Sequence, residues 1–460
     1  MDGRKSGRED KQVNLQKRLI KRIQKSPPLF FLLAYLFVIV IGTILLFLPF
    51  SSAEGRFTSP IDAFFVSTSA VCVTGLTPVT TASFWSPLGK TIIIILIQLG
   101  GLGIMTAVGA LALLTGRKLG MSQRVIFKEE KNEDELTGLV RFLKFILKAT
   151  FLIEGIGAVL LAFQMIPQFG WIKGLLYSIF LAISAFCNAG FDPLGSVSLS
   201  DYASNPLVLL TIAFLIIIAG LGYVVYIDFF FRKTKRVRLQ TKVVSAMTIF
   251  LLLLGTLGIF LMEYRNPTTI GRMSLEDKTL NAFFQSTSLR TAGFFSFDQG
   301  AMTRPSTLFS CFFMFIGGSP GGTAGGLKTT TMAVLVLGLI ARVRHTRDLP
   351  VFHRNCTREN FQQALILFTA SIFWISIVGF IIQLVESDKE FLDLFFEVIS
   401  AYGTVGLSRG ITGNLHALSK ILVAITMIFG KIGPVTMLGA LLRPAKYRGH
   451  RVAEESVMIG

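Results

Sequence analysis

Gly75, Gly190, Gly293 and Gly406 stand next to last in four stretches of matched pattern: FFVSTSAVCVTGL, SIFLAISAFCNAGF, FFQSTSLRTAGF and FFEVISAYGTVGL. The glycines lie 115, 103 and 113 residues apart. Ten residues before each stands Phe65, Phe180, Phe283 or Phe396, and six before it a hydroxyl, Ser69, Ser184, Thr287 or Ser400. The closing tripeptides are Val73-Thr74-Gly75, Asn188-Ala189-Gly190, Thr291-Ala292-Gly293 and Thr404-Val405-Gly406. The chemistry open to them is that of the backbone, because extended peptides aimed at an axis can replace the hydration shell of an alkali cation with carbonyl oxygens. Glycine reaches dihedrals closed to other residues, so one per wall can turn a carbonyl inward. Such backbone is tolerated at membrane depth only where it lines a watery cavity. One motif alone would read as a membrane turn. Four in phase, each between two apolar runs, read as the walls of a filter. The short helix before each would direct its partly negative C-terminal end at the cation. The phenylalanines would wedge these helices among their neighbours, and the hydroxyls are placed to bond backbone behind the filter.

The rest of the chain has to hold these walls. Hydrophobic residues make up 52% of 460 positions and charged ones 16%, which is too apolar for an ordinary soluble domain. Apolar runs near 29–49, 88–115, 143–165, 206–231, 243–262, 306–341, 361–385 and 418–442 meet the ~20 residues a membrane-crossing helix needs. The segment between the members of each pair is too short to span and is expected to be re-entrant. The expected fold is therefore an all-α membrane protein of four span–pore helix–span repeats, eight transmembrane helices and four re-entrant ones, arranged pseudo-fourfold around one pore per protomer. The repeats fall at 29–115, 143–231, 243–341 and 361–442, with linkers at 116–142, 232–242 and 342–360 and terminal segments at 1–28 and 443–460.

A net charge of +18 would suit nucleic acid, but its placement argues otherwise. Of 45 Lys and Arg, 32 fall before Pro27 or within 117–148, 232–242, 342–358 and 443–451. Eight spans put all these segments on one side, which the positive-inside rule makes cytoplasmic, together with both termini. The charge thus reports topology, and contact with anionic lipid is a secondary role for it. The basic lead runs into a full-length apolar span, unlike a cleavable signal peptide. Cys72, Cys187, Cys311 and Cys356 form no CxxC pair and read as small buried side chains.

The run at 306–341 is too long for one span and is interrupted by Gly317-Gly318-Ser319-Pro320-Gly321-Gly322-Thr323-Ala324-Gly325-Gly326-Leu327-Lys328. Each glycine costs a helix interior about 1 kcal/mol and proline about 3 kcal/mol, so a straight helix is excluded. The end of this stretch imitates the phosphate loop GxxxxGK[ST], but Leu327 separates Gly326 from Lys328 and no strand precedes it. A structural kink or a movable loop beneath the third wall remain. Lys431 lies deep in the last apolar run, where a charge must face water or a partner. Glu154 and Asp228 are the intramembrane acids; Asp228 is near a basic boundary and Glu154 receives no role. Gly101 and Gly103, and again Gly220 and Gly222, read as close helix-packing positions. His345, His353, His416 and His450 all fall outside the runs, with no HExxH, GxSxG or acidic pair inside one, so no enzymatic site is expected.

Thr404-Val405-Gly406 matches the start of the potassium-channel filter sequence TVGYG without its second glycine. On these motifs the chain, from about Pro27 to Tyr447, resembles the Trk/Ktr/HKT superfamily of potassium transporters. It is most similar to the KtrB/KtrD-type branch, because its first span leads directly into the first filter. The resemblance implies K+ as the transported ion. In plant relatives a serine at the first filter glycine goes with sodium permeation, and here that position is Gly75. It further implies a homodimer in the bacterial plasma membrane, on a cytosolic KtrA-type ring that alone binds nucleotide, with Na+ as an activator. The 317–326 loop with Lys328 would be the family's gate across the pore. Lys431 stands where the family usually has arginine, which keeps the charge and loses the planar fork. A sodium- or proton-coupled symporter is the alternative, and it would want a mid-membrane acid near the filter.

Overall fold

The structure, a computed structural model, describes residues 27–114, 139–195, 197–230, 237–345, 349–352 and 354–441. The basic segments 1–26, 117–138, 232–236 and 443–451, on which the orientation expectation rests, lie outside the described residues.

A long helix, a short helix and a broken pair recur in chain order. The first set is α1 (Pro27–Phe47), α2 (Pro60–Cys72), α3 (Pro87–Leu102) and α4 (Ile104–Leu114). The second is α5 (Leu139–Phe169), α6 (Trp171–Cys187), α7 (Pro206–Leu221) and α8 (Tyr223–Phe230). The third is α9 (Leu239–Glu263), α10 (Leu275–Ser288), α11 (Arg304–Phe315) and α12 (Thr329–Val343). The fourth is α13 (Arg358–Val385), α14 (Phe391–Gly403), α15 (Ala417–Ile432) and α16 (Pro434–Leu441). A two-stranded hairpin, Leu349–Val351 with Arg354–Cys356, joins the last two sets.

Local chemistry sets several of the starts. Ser86, Asn205 and Thr303 accept the N–H of Gly89, Val208 and Ser306, capping α3, α7 and α11. Each of these helices carries a proline in its first turn, where a missing N–H costs nothing. Such a cap contributes about 1 kcal/mol.

Among the described residues α1, α5, α9 and α13 are by themselves long and apolar enough to cross a bilayer. The runs 88–115, 206–231 and 418–442, expected as continuous spans, are each broken. The breaks fall at Gly103, Gly222 and Gly433, with φ of 88°, 87° and 92° and ψ of 140°, 149° and 142°. α7 and α8 bend by 91°, and α15 and α16 by 103°. Only glycine holds these dihedrals without strain. At Gly222 there is a second reason, since a Cβ would sit 2.6 Å from the Pro320 carbonyl oxygen. The interruption expected of the third pair alone is thus shared by all four, and the third differs in length, running from Ile316 to Lys328.

The packing closes on itself. α3 lies against α6, α7 against α10, α11 against α14, and α15 back against α2. One layer further out, α4 meets α5, α8 meets α9, α12 meets α13, and α16 returns to α1. Phe65, Phe180 and Phe396 are buried where the short helices join the core, whereas in the third set Phe284 takes that place and Phe283 is half-buried. Glycine lets helices meet backbone to backbone here: a Cβ on Gly100 would lie 2.0 Å from Val71 O, and one on Gly430 1.9 Å from Tyr402 O.

Polar ties close the seams between sets. Arg409 binds the Asp393 carboxylate at 2.6 Å and donates to Gln299 O, Thr307 Oγ1 and Gly300 O, joining the fourth set to the third. Asn281 donates to Ala203 O at 2.8 Å across the second seam. Lys420 of α15 meets Asp62, in the first turn of α2, at 2.8 Å, with side-chain exposures of 12% and 22%. Because this pair joins the last set to the first, Asp62→Ala and Lys420→Ala should each lower stability by about 1–2 kcal/mol. The double variant should lose less than the sum, a coupling of about 1 kcal/mol in a thermal-unfolding cycle in detergent. Strict additivity would show that the ion pair does not hold this seam.

Candidate functional site

The four glycine motifs leave their helices through left-handed backbone. α2, α6 and α14 end at Val73, Asn188 and Thr404 with φ of 58°, 59° and 49°. The N–H of each returns to Ala70, Ala185 or Ala401, and the next N–H (Thr74, Ala189, Val405) donates to Ser69, Ser184 or Ser400 O, each at 2.8 Å. A β-branched residue held there costs about 1–2 kcal/mol, so the surrounding packing imposes the turn. In the third motif α10 already ends at Ser288, five residues before Gly293, and the positive φ falls at the matching position, Thr291, at 74°.

Two residues on, the glycines themselves have φ of 100°, 68°, 79° and 97°, and they meet. A Cβ on Gly75 would lie 2.5 Å from Ala189 O, and one on Gly190 2.7 Å from Ala292 O. On Gly293 it would lie 2.4 Å from Val405 O, and on Gly406 2.1 Å from Thr74 O. Each glycine therefore faces the carbonyl preceding the next motif's glycine, and the fourth faces the first. The carbonyls of Thr74, Ala189, Ala292 and Val405 form one closed ring of backbone, and neither the dihedral nor the space admits a side chain.

The hydroxyls behind this ring do not act alike. Ser69 and Ser400 accept the N–H of Gly75 and Gly406 at 3.0 and 3.1 Å. Ser184 Oγ is buried with no hydrogen-bond partner, and Thr287 donates within its own helix to Phe283 O at 2.9 Å. The expected backbone bond behind the motif is made in the first and fourth walls. The second and third are instead joined sideways, Asn188 Nδ2 donating to Thr291 Oγ1 at 3.4 Å.

A cavity of ≈570 Å³ opens onto all four glycines and is also lined by Asp192, Asp298 and Ser408. α11, rising about 1.5 Å per residue, carries the chain from this side to the opposite one. There a second cavity, ≈250 Å³, lies between Tyr35, Gly101, the 320–324 backbone, Lys328 and Lys431. The glycine-rich segment is fixed in this region by both neighbouring breaks. Ser319 N donates to Gly220 O, Tyr223 N to Gly321 O, and Gly326 N to Gly430 O. Thr323 Oγ1 reaches Phe186 O at 3.4 Å, beside the second motif, and a Cβ on Gly325 would lie 2.3 Å from Thr404 Oγ1 of the fourth. Gly317 pairs with Leu327 O, and Gly318 accepts from Thr329 N, so the loop is closed at its neck. The structure thus gathers Gly317, Gly318, Ser319, Pro320, Gly321, Gly322, Thr323, Ala324, Gly325 and Gly326 into one closed loop that touches the second motif helix through Thr323 and the fourth motif through Gly325.

Both lysines serve this loop. Lys431 Nζ donates to Thr323 O and Lys328 Nζ to Ala324 O, each at 2.6 Å. Asp228 accepts from Thr241 Oγ1 at 2.6 Å and from Arg238 N at 3.1 Å, which makes it the corner between α8 and α9. Glu154 lies against Gln98 and Cys187 behind the second motif. Two arginines escaped the sequence reading. Arg409 stands out as a base just after the fourth motif, in a side of the chain poor in bases. Arg290, buried within the third motif, reaches Thr248 Oγ1 at 3.4 Å. No group of three His, Cys, Asp or Glu placed to hold a metal occurs among the described residues, and Cys72, Cys187, Cys311 and Cys356 are free thiols.

The family described as TrkH, cation transport protein, matches residues 32–445. The chain is 37% identical to the potassium/sodium uptake protein NtpJ of Enterococcus hirae over 97% of its own length and 99% of that protein's. It is 36% identical to Ktr system potassium uptake protein B of Bacillus subtilis, over 93% and 95% of the two chains. The crystal structure of the potassium transporter TrkH from Vibrio parahaemolyticus superposes with a TM-score of 0.70 at 21% identity, covering 89% of this chain and 84% of that one, and so shares its fold. The chain belongs to the TrkH family of cation transport proteins, and its relatives are transporters, not enzymes.

Proposed function

We propose that this chain is the ion-translocating membrane subunit of a potassium uptake system. In this reading K+ sheds its water and passes in single file between the carbonyls of Thr74, Ala189, Ala292 and Val405. The closed order in which each motif glycine faces the next motif's carbonyl carries the proposal. A ring of fixed carbonyl dipoles compensates the lost hydration of a monovalent cation. The shared left-handed exits of α2, α6 and α14 support this reading, in which the partly negative C-terminal ends of these helices would face the cation. α2, α6, α10 and α14 would be four re-entrant pore helices, and the cyclic packing of the helix sets supports a pseudo-fourfold arrangement, repeats 29–115, 143–231, 243–341 and 361–442, around one pore. The relatives named for potassium and for potassium/sodium uptake support the choice of ion.

The segment 317–326 would be the gate. Backbone at membrane depth needs protein partners or water, and this loop has both: bonds to Gly220, Gly321's partner Tyr223 and Gly430, and the second cavity with Lys328 and Lys431. Two ammonium groups beside the path oppose a cation while the loop is seated. A cytosolic nucleotide-binding ring would open it by binding one loop arrangement better than the other; the "Ktr system" name of the Bacillus relative fits a multi-component assembly. The rest of the reading is a homodimer in the plasma membrane with both termini cytoplasmic and Na+ as an activator. A cation-coupled symporter is the second reading, and it draws on Glu154 lying behind the second wall.

Two measurements test this. A Cβ at Gly75 would meet Ala189 O at 2.5 Å with φ at +100°, so Gly75→Ser has to displace a ring carbonyl. Its preference for 86Rb+ over 22Na+ in proteoliposome flux should fall about tenfold, the effect of roughly 1.4 kcal/mol. An unchanged preference would remove this ring from the selectivity filter. Deleting residues between Pro320 and Gly325 should raise K+ flux several-fold, about 1 kcal/mol of lost closing contacts or more, and weaken its dependence on the cytosolic partner. A folded deletion variant with unaltered flux and dependence would make the segment a kink.

A further inference from the structure

Glu154 occupies the middle of α5 and is buried, although Phe151, Leu152, Gly155 and Ile156 around it are exposed along the same helix. A carboxyl at that depth is expensive and needs a use. Both its oxygens accept from one donor, Gln98 Nε2 of α3, at 3.1 and 3.2 Å. The other end of the same amide, Gln98 Oε1, accepts from the Cys187 thiol at 3.5 Å, and Glu154 Oε1 is 4.0 Å from that sulfur. Cys187 is the last residue of α6, immediately before Asn188-Ala189-Gly190. The three side chains therefore connect two helix sets at the root of the second wall. Space is tight: a Cβ on Gly101, one turn along α3, would lie 2.4 Å from Cys187 Sγ.

An amide has a donor end and an acceptor end. While Glu154 is a carboxylate it demands Nε2, which leaves Oε1 for the Cys187 S–H. A protonated Glu154 has an O–H to donate, and the acceptor in reach is Gln98 Oε1. Satisfying it turns the amide over and presents N–H, rather than oxygen, to the thiol. We propose that Glu154 is a positioning residue for the second filter wall, acting through the Gln98 amide on Cys187, so that its protonation state is read as cation affinity. This rests on the filter reading above, and Glu154 itself touches no permeating ion.

The groups facing the cluster are few. Tyr223 of α8 faces Cys187 and Glu154 and is hydrogen-bonded to Thr150, one turn before Glu154, at 3.1 Å. Lys431 of α15 acts on Cys187 from the loop side. Elsewhere on the ion path, Asp192 lines the first cavity, and burial pushes its carboxyl up to about 6 despite the N–H groups of Leu194 and Gly195. Its charge is lost as pH falls through that value, so the test is run with and without Asp192→Asn.

The full chain is reconstituted in proteoliposomes and initial rates of 86Rb+ uptake are measured from about pH 6 to about pH 9, the same inside and out. In the Asp192→Asn background the KM for Rb+ should still rise as pH falls, by about fivefold for one lost hydrogen bond, with a smaller change in kcat. Glu154→Gln should flatten this profile, and Gln98→Leu should flatten it with Glu154 still present. Glu154→Asp should keep a slope. The S–H stretching band of Cys187, assigned with Cys187→Ser, should shift with pH in the parent and not in Glu154→Gln, a readout that does not need flux. A parent KM independent of pH, a pH slope surviving in Glu154→Gln, or an S–H band insensitive to pH would each overturn the proposal. Gly75→Ser in the same assay reports separately on the filter: loss of the filter reading would show there as unaltered ion preference, whatever Glu154 does.

Discussion

Four backbone carbonyls from four distant parts of the chain have to meet without a side chain between them. That requirement explains most of the molecule. At Gly75, Gly190, Gly293 and Gly406 any Cβ would lie between 2.1 and 2.7 Å from the neighbouring carbonyl oxygen, so the ring exists only because these positions are bare. The residues two before them, Val73, Asn188, Thr291 and Thr404, are forced into left-handed backbone, which short, rigid helices with buried tips can impose. Those helices are in turn wedged by the following helix of the preceding set, around the whole circle. The long outer helices give the assembly its apolar perimeter.

Repetition of the pattern does not make the four walls equal. The first and fourth are braced from behind by a serine on the glycine N–H. The second and third lean on each other through Asn188 and Thr291, and the second also touches the glycine-rich loop through Phe186 and the Glu154 cluster through Cys187. The loop reaches the fourth wall at Thr404. Movement of the loop would therefore be felt first by the second and fourth walls, while the first and third keep their geometry. Four walls drawn from one chain permit this division of labour, which identical subunits would not.

The recurring glycine motifs, the helical membrane class and the break after Ile316 were legible in the sequence because each has a strong local cause: phase, apolar length, and a concentration of glycine and proline. The bends at Gly103, Gly222 and Gly433 were not. Gly220-Leu-Gly222 reads equally well as a helix-packing pair, and what decides it is the Pro320 backbone arriving from another part of the chain. The same holds for the hydroxyls, where one sequence position does different work in different walls, and in the third α10 ends two residues further from its glycine than the other short helices do. Gln98 is one amide in an apolar run, and its meaning depends on α5 and α6 bringing Glu154 and Cys187 to its two ends.

The most direct test of the carbonyl ring is to look for the ion. A crystal structure with Rb+ or Tl+ in place of K+ would locate the permeant cation by its anomalous scattering. The expected result is density on the axis between the carbonyl oxygens of Thr74, Ala189, Ala292 and Val405, displaced by excess K+ and retained in excess Na+. Density confined to sites away from this ring, in protein that still takes up Rb+, would contradict it.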